Sequence, residues 1–270
     1  MRTRRRALTW CLAGLCLWAA ACRAAADRAA AGGPTAPPQS RFFPAKGVRL
    51  HYLVQGAGEP VVLIHGLYAS AELNWQRPGT LALLARDHQV IALDLPGHGL
   101  SDKPATADAY GRQMVEDVIL LLEHLGIRAA HVVGYSLGGM VALKLIALHP
   151  DRVLSGTLGG MGWLRQGSAL QTVWERLPAR RQGLTPGVCA TSAGQLALTR
   201  AELAAITVPV AVVIGDRDPV RELYVAPLRA VRPDWPVILV HGAGHLNCIL
   251  KRDFREAIAR WVDAHHPPDR

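Results

Sequence analysis

Cysteine is scarce in this chain: five residues in 270, three of them before position 23. Only Cys189 and Cys248 are left for the remainder, so one bridge between them is the most that disulfide chemistry can supply. Two partly buried thiols are the other option, and spacing alone does not choose. Long apolar runs are also missing. The longest, Ala7 to Ala21, has 15 residues and is short for a membrane span. Past the N-terminus no Lys/Arg run exceeds Arg180-Arg181, which gives nucleic-acid binding little support. What the chain has is apolar bulk. Half of its residues are hydrophobic, ample for one large α/β domain or for a core with a modest insertion.

The first residues stand apart from that core. Arg2, Arg4, Arg5 and Arg6 precede the apolar run, and small residues follow it, which is the pattern of an export signal over residues 1–22. Ala20-Ala21-Cys22 resembles the end of a bacterial lipobox, in which Cys22 becomes the lipidated first residue. Ordinary cleavage after Ala24-Ala25-Ala26 is the alternative. Either way the expected location is the periplasm, or the cell envelope through a lipid anchor on Cys22. Removing residues 1–22 takes away four Arg and no acid, lowering the formal charge from +9 to +5. Residues 23–40, rich in Ala, Gly and Pro, read as a flexible tether.

From residue 41 the chain alternates strand and helix signals. Arg41 to Phe43 and Val48 to Gln55 read as two edge strands, and Val61 to Ile64 as a central strand covered on both faces. A helix over 73–86, interrupted near Pro78-Gly79, leads to a strand at Val90 to Leu93. A helix over 110–125 ends at Gly126. Val153 to Leu158, Val208 to Ile214 and Val237 to Val240 are further strands, with helices expected over 220–231 and 246–261. This series predicts a mostly parallel sheet with helices on both faces. The core is expected over 41–162 and 206–266. Residues 163–205 break the rhythm, with helices expected over 169–177 and 192–203, and read as a small helical cap. Trp163 and Trp174 are its candidate substrate-lining residues, with Leu164, Leu170 and Leu177 beside them. Pinning the segment to the core is the competing role for these residues.

The chemistry is concentrated around Ala130 to Leu145. The apolar strand His131-Val132-Val133 turns, with no loop to spare, into an apolar helix. At the turn stands Gly134-Tyr135-Ser136-Leu137-Gly138, the G-x-S-x-G pattern. Such a turn forces its central residue into a strained backbone and pushes the Ser136 hydroxyl out at the sheet edge. The flanking glycines omit the Cβ atoms that would collide as strand and helix close. The backbone N–H of Leu137, at the helix start, faces a developing oxyanion. Gly66, after the first central strand, leaves the N–H of Leu67 as a second donor. His65 reads as a buried residue that holds this loop, and Asp94 as structural in the Gly/Pro-rich loop 94–102. Asp216 and Asp218 compete as the acid that orients the base. His245, just past two glycines, is the candidate base, and His241 reads as structural. His265 and His266 are assigned no role.

Ser136, an Asp near 218 and His245, in that order, resemble the α/β-hydrolase fold family over roughly residues 45–265. Within it the chain looks like the esterase and lactonase-type branch. Its loops supply His65-Gly66, Asp94 through Ser101, Gly134 through Gly139, Gly215 through Asp218 and Gly242 through His245. The resemblance implies a serine hydrolase with Ser136 as nucleophile, His245 as base, Asp218 rather than Asp216 as its partner, and Leu67 and Leu137 as oxyanion donors. It implies no cofactor or metal, and a small ester, lactone or acyl lipid as substrate. A serine at the elbow argues against epoxide hydrolases and haloalkane dehalogenases of the same fold, which use Asp there. C–C bond or amide hydrolysis, and a ligand-binding protein with little turnover, are the rival readings.

Overall fold

A computed structural model describes residues 36–176 and 187–266. Among these, eight strands form one sheet: β1 (Gln39–Ala45), β2 (Val48–Gln55), β3 (Glu59–Ile64), β4 (His88–Leu93), β5 (Ala130–Tyr135), β6 (Val153–Gly159), β7 (Val210–Gly215) and β8 (Val237–Val240). Their spatial order is β1-β2-β4-β3-β5-β6-β7-β8. β2 runs antiparallel to both β1 and β4. Every other pairing is parallel.

The continuous apolar runs are explained by the two faces of this sheet. Val62, Ile64, Ile91, Leu93, Val132 and Val212 enter one core cluster. Their chain neighbours Val61, Leu63, Val90, Ala92, Val133 and Val213 enter another. A strand shows successive side chains to opposite faces, so a run apolar at every position is what a sheet covered on both sides requires. On one side the helix Leu137–Leu148 is buried almost all round, from Leu137 to Ile146. On the other the helix Arg252–Asp263 buries only Phe254, Ala257, Ile258 and Val262, a single face at helical spacing.

Several expectations need correction. Only β1 is an edge strand at that side, because β2 lies between β1 and β4. β1 begins at Gln39, inside the stretch expected to be tether, since Gln39 and Ser40 pair with Val54 and Leu53. The helix expected over 73–86 is a wide turn at Glu72–Gln76 and a short helix at Thr80–Leu84, divided by Gly79 in a left-handed conformation. Residues 220–231 divide in the same way, into a wide turn at Arg221–Val225 and a helix at Ala226–Arg229. The last helix starts at Arg252, not Leu246. Lys251 is extended, and Leu246 is almost fully exposed, so nothing would bury an apolar face there.

Among the described residues, the segment between β6 and β7 holds short helices at Ala169–Glu175, Val188–Ser192 and Arg200–Ala204, with a 3₁₀ turn at Ala193–Leu196. The helix expected over 192–203 breaks because Ala197 and Thr199 are extended. Thr199 and Glu202 then restart it with a reciprocal capping box. Lys144 of the Leu137–Leu148 helix holds this segment. Its ammonium donates to the Ala197 carbonyl at 3.1 Å and pairs with Glu202 at 3.4 Å. The expectations for the export signal, Cys22, the tether up to residue 35, Leu177, Arg180 and Arg181 lie outside the described residues. Among the described residues no helix is long and apolar enough to cross a membrane.

One buried carboxyl interrupts an apolar face. Asp117 lies on the inner side of the helix Arg112–His124 with Met114, Val118 and Leu121. Burial pushes its pKa up to about 7, against an amide donated by Gln113 at 2.9 Å. The unfolded chain releases this proton near pH 4, whereas the folded protein holds it until about pH 7. Stability is therefore full below pH 4 and falls as pH rises to about 7. Asp117→Asn is expected to remove that fall, by on the order of a few kcal/mol, in urea unfolding compared across pH 4 to 8. Parallel pH profiles for the two proteins would contradict it.

Candidate active site

Ser136 has φ 52° and ψ −114°, a conformation that non-glycine residues avoid. The neighbouring glycines show why the chain holds it there. A Cβ on Gly134 would stand 2.0 Å from the Gly138 carbonyl oxygen, and one on Gly138 would stand 2.1 Å from that of Ile64. Strand and helix meet at a distance only glycine permits. The Ser136 N–H is fixed by the Gly159 carbonyl of β6 at 2.8 Å.

The three residues singled out from sequence converge here. His245 Nε2 is 2.9 Å from Ser136 Oγ, and His245 Nδ1 is 2.8 Å from Asp218 Oδ2. A carboxylate can only accept, so Nδ1 carries the proton and Nε2 is left to accept from the serine hydroxyl. The Asp218 carboxylate has no exposed surface, and its other oxygen accepts the Val220 N–H at 2.9 Å. Asp216 is engaged elsewhere: it accepts from Ala243 N–H at 3.2 Å and faces His241 at 3.3 Å. The backbone N–H groups of Gly242 and Ala243 hold its carboxyl below the usual range. His241 itself is exposed and lies one residue past β8.

The loop after β3 lies against the nucleophile candidate. A Cβ on Gly66 would stand 3.4 Å from that of Ser136. His65 Nδ1 donates to the Gly66 carbonyl at 2.7 Å, and Nε2 accepts the Leu95 N–H at 3.0 Å. Burial pushes its pKa down, so the ring is neutral and both nitrogens are engaged in holding loops. Among the described residues, the N–H groups of Leu67 and Leu137 donate to no protein acceptor. Asp94 ties the adjoining loop together. It accepts from Ala71 N–H at 2.7 Å, Leu100 N–H at 2.9 Å and His51 at 2.8 Å. Its pKa falls to about 2: burial raises it, but the bonds from His51, Ala71 and Leu100 outweigh the penalty.

Trp163 and Trp174 occupy anchoring positions. Trp163 is buried and its indole N–H donates to the Leu198 carbonyl at 2.9 Å. Trp174 donates to the Tyr224 hydroxyl at 3.0 Å. Both hydrogen bonds pin the segment rather than point at Ser136. Cys189 and Cys248 are both buried and unbridged. Burial pushes each thiol up to about 12, with the charge of Asp218 adding to the effect at Cys248.

Two contributors escaped the sequence reading. The Tyr135 hydroxyl donates to the His245 carbonyl, and the two rings lie 5.7 Å apart, so the residue before Ser136 holds the loop of His245. Asn74 accepts the Gly66 N–H at 2.9 Å and fixes the loop that presents Leu67. Tyr135 sits in the motif's variable position, and Asn74 lies in an irregular turn, so neither carries a sequence signal. Asn74→Ala is expected to speed amide exchange at Gly66 by about 5-fold, the loss of one hydrogen bond, with global stability little changed. Unchanged exchange would show that the loop holds itself.

A family model described as alpha/beta hydrolase fold matches residues 59–196. The chain is 42% identical over 129 residues to a dihydrolipoyllysine-residue acetyltransferase component of an acetoin cleaving system from Cupriavidus necator, covering 47% of this chain and 33% of that one. It is 36% identical over 150 residues to the 2-hydroxymuconate semialdehyde hydrolase of Pseudomonas sp. (strain CF600), covering 53% and 51%. The chain thus spans between a third and about half of these curated relatives' length. In structure it is similar to an epoxide hydrolase from Vigna radiata, with TM-score 0.69 and 18% identity, covering 84% of this chain and 98% of that one. That likeness is one of fold.

Proposed function

Because the chain belongs to the α/β-hydrolase fold family, we propose that it is a serine hydrolase that cleaves carboxylic esters, lactones or short acyl lipids through an acyl-enzyme. The observation that carries this reading is the relay from Ser136 Oγ through His245 to Asp218, at 2.9 and 2.8 Å. His245 Nε2 takes the hydroxyl proton as Ser136 Oγ bonds to the substrate carbonyl carbon. Asp218 keeps the imidazole in its tautomer and stabilises the imidazolium. The tetrahedral oxyanion is held by the Leu67 and Leu137 N–H groups, each worth on the order of 3 kcal/mol of transition-state stabilisation. The imidazolium then protonates the leaving alcohol. A water deprotonated by His245 attacks the acyl carbon, and the acid leaves as Ser136 regains its proton. No step calls for a cofactor.

The segment 163–205 is proposed as the cap over this site, with Trp163 and Trp174 fixing its position from behind. Export through residues 1–22, with Cys22 as a lipid anchor to the cell envelope, belongs to the same reading and suits a substrate met outside the cytoplasm. A second reading is cleavage of a C–C bond or an amide by the same triad. The similarity to a semialdehyde hydrolase favours it.

Hydrolysis of p-nitrophenyl esters of rising chain length tests the assignment. Ser136→Ala is expected to leave no measurable turnover on a folded protein. Asp218→Asn is expected to lower kcat on the order of 10⁴-fold through the wrong His245 tautomer. Asp216→Asn, which touches only the loop before His245, is expected to stay within about tenfold of wild type. The reverse ranking of the two carboxylates would overturn the choice of acid. No turnover of any ester, with turnover of a β-diketone or amide, would favour the second reading.

A further inference from the structure

The opposite end of the sheet gathers a set of side chains that the hydrolase chemistry does not use. Glu59 begins β3 opposite His88, which begins β4, and His131 lies near the start of β5 opposite Val61, two residues along β3 from Glu59. The C-terminal helix ends over them, bringing Asp263 and His266. Two triads result, Glu59–His131–His266 and His88–Asp263–His266, and in each the potential ligand atoms lie within 4.8 Å of one another. In the first, Glu59 Oε2 is 3.0 Å from His131 Nε2 and 2.5 Å from His266 Nδ1.

We propose that Glu59, His131 and His266 form a binding site for a divalent transition-metal ion of the zinc class. Two imidazole nitrogens and a carboxylate oxygen are the donors such an ion takes, and three protein ligands leave one position for water. His131 is built for the part. It is completely buried, with Nε2 aimed at the Glu59 carboxylate. Its other nitrogen, Nδ1, lies 2.7 Å from Ser155 Oγ. A metal on Nε2 puts the remaining proton on Nδ1, where Ser155 accepts it. That outer hydrogen bond is the one that ligating histidines need to fix tautomer and ring direction.

The same test separates the two triads. His88 is buried too, but its Nδ1 has no hydrogen-bond partner among the described residues. A metal on His88 Nε2 would leave a buried N–H unsatisfied, a cost avoided when Nε2–H donates to Asp263 at 3.0 Å. His88 instead supports the site: its ring stacks on that of His266 at 5.5 Å and 19°. The ion would join the starts of two central strands to the end of the last helix, closing a loop of 207 residues. His131 lies near the start of β5 and Ser136 just past its end, five residues on and about 16 Å along the strand, so the metal is remote from Ser136.

The test uses the full chain, stripped with a chelator, and Zn²⁺ alone as probe. Calorimetry is expected to find one tight site. Tm is expected to rise by about 5–10 °C at a hundredfold excess over Kd. His266→Ala, at an exposed helix end, is expected to weaken Zn²⁺ by about 100-fold or more while the apo-protein's Tm holds. Asp263→Asn is expected to change the affinity by less than about 3-fold. Absence of a Zn²⁺-dependent Tm shift in wild type, an equal shift in His266→Ala, or an equal loss in Asp263→Asn would each overturn the assignment.

Discussion

The backbone of Ser136 is the constraint on which the rest of the site depends. A non-glycine residue at φ 52° costs on the order of 1–3 kcal/mol, and the fold holds it there by leaving no room for relaxation. Gly134 touches the Gly138 carbonyl, and Gly138 touches that of Ile64, so the β5 turn, its helix and the end of β3 are locked together. Three consequences follow from one close approach. The Ser136 hydroxyl is projected beyond the sheet, the Leu137 N–H is left without a protein acceptor at a helix start, and the loop carrying Leu67 is drawn alongside. The relay to His245 is then completed from the far side of the sheet, by loops after β7 and β8.

Three aspartates follow the C-terminal ends of strands, and their surroundings divide their roles. Asp94 is enclosed by two N–H groups and His51, which makes it a structural anion. Asp216 receives backbone N–H groups and positions the chain before His245. Asp218 alone combines complete burial of its side chain with the imidazole of His245. What separates them is the set of donors facing each carboxylate. The same logic separates the histidines. His65 has both nitrogens engaged in loops, whereas His245 keeps one nitrogen directed at a hydroxyl.

The parallel core was legible because β3, β4, β5 and β7 each carry an unbroken apolar run, Val61 to Ile64, Val90 to Leu93, Val132-Val133 and Val210 to Ile214, and the elbow because its glycines are required by contact. The helices were less so. Glu72–Gln76, Arg221–Val225 and the stretch 246–251 carry helix-compatible residues, yet backbone geometry at Gly79, Ala197 and Lys251 sets where helices break or begin. Tyr135 and Asn74 were invisible because each acts through one hydrogen bond across the fold, to a partner the sequence does not mark. Trp163 and Trp174 left two roles open for a related reason. A large aromatic side chain serves a pocket or an anchor equally well, and only the destination of its N–H decides.

Activation of Ser136 by His245 at the sheet's C-terminal edge can be read without knowing the substrate. A fluorophosphonate reacts with a serine only when its hydroxyl is deprotonated by a neighbouring base and the oxyanion is held. Intact-mass and peptide analysis of the labelled protein measures this directly. The account predicts one adduct, on Ser136, that disappears in His245→Ala. A folded protein that takes up no label, or takes it up equally without His245, would contradict it.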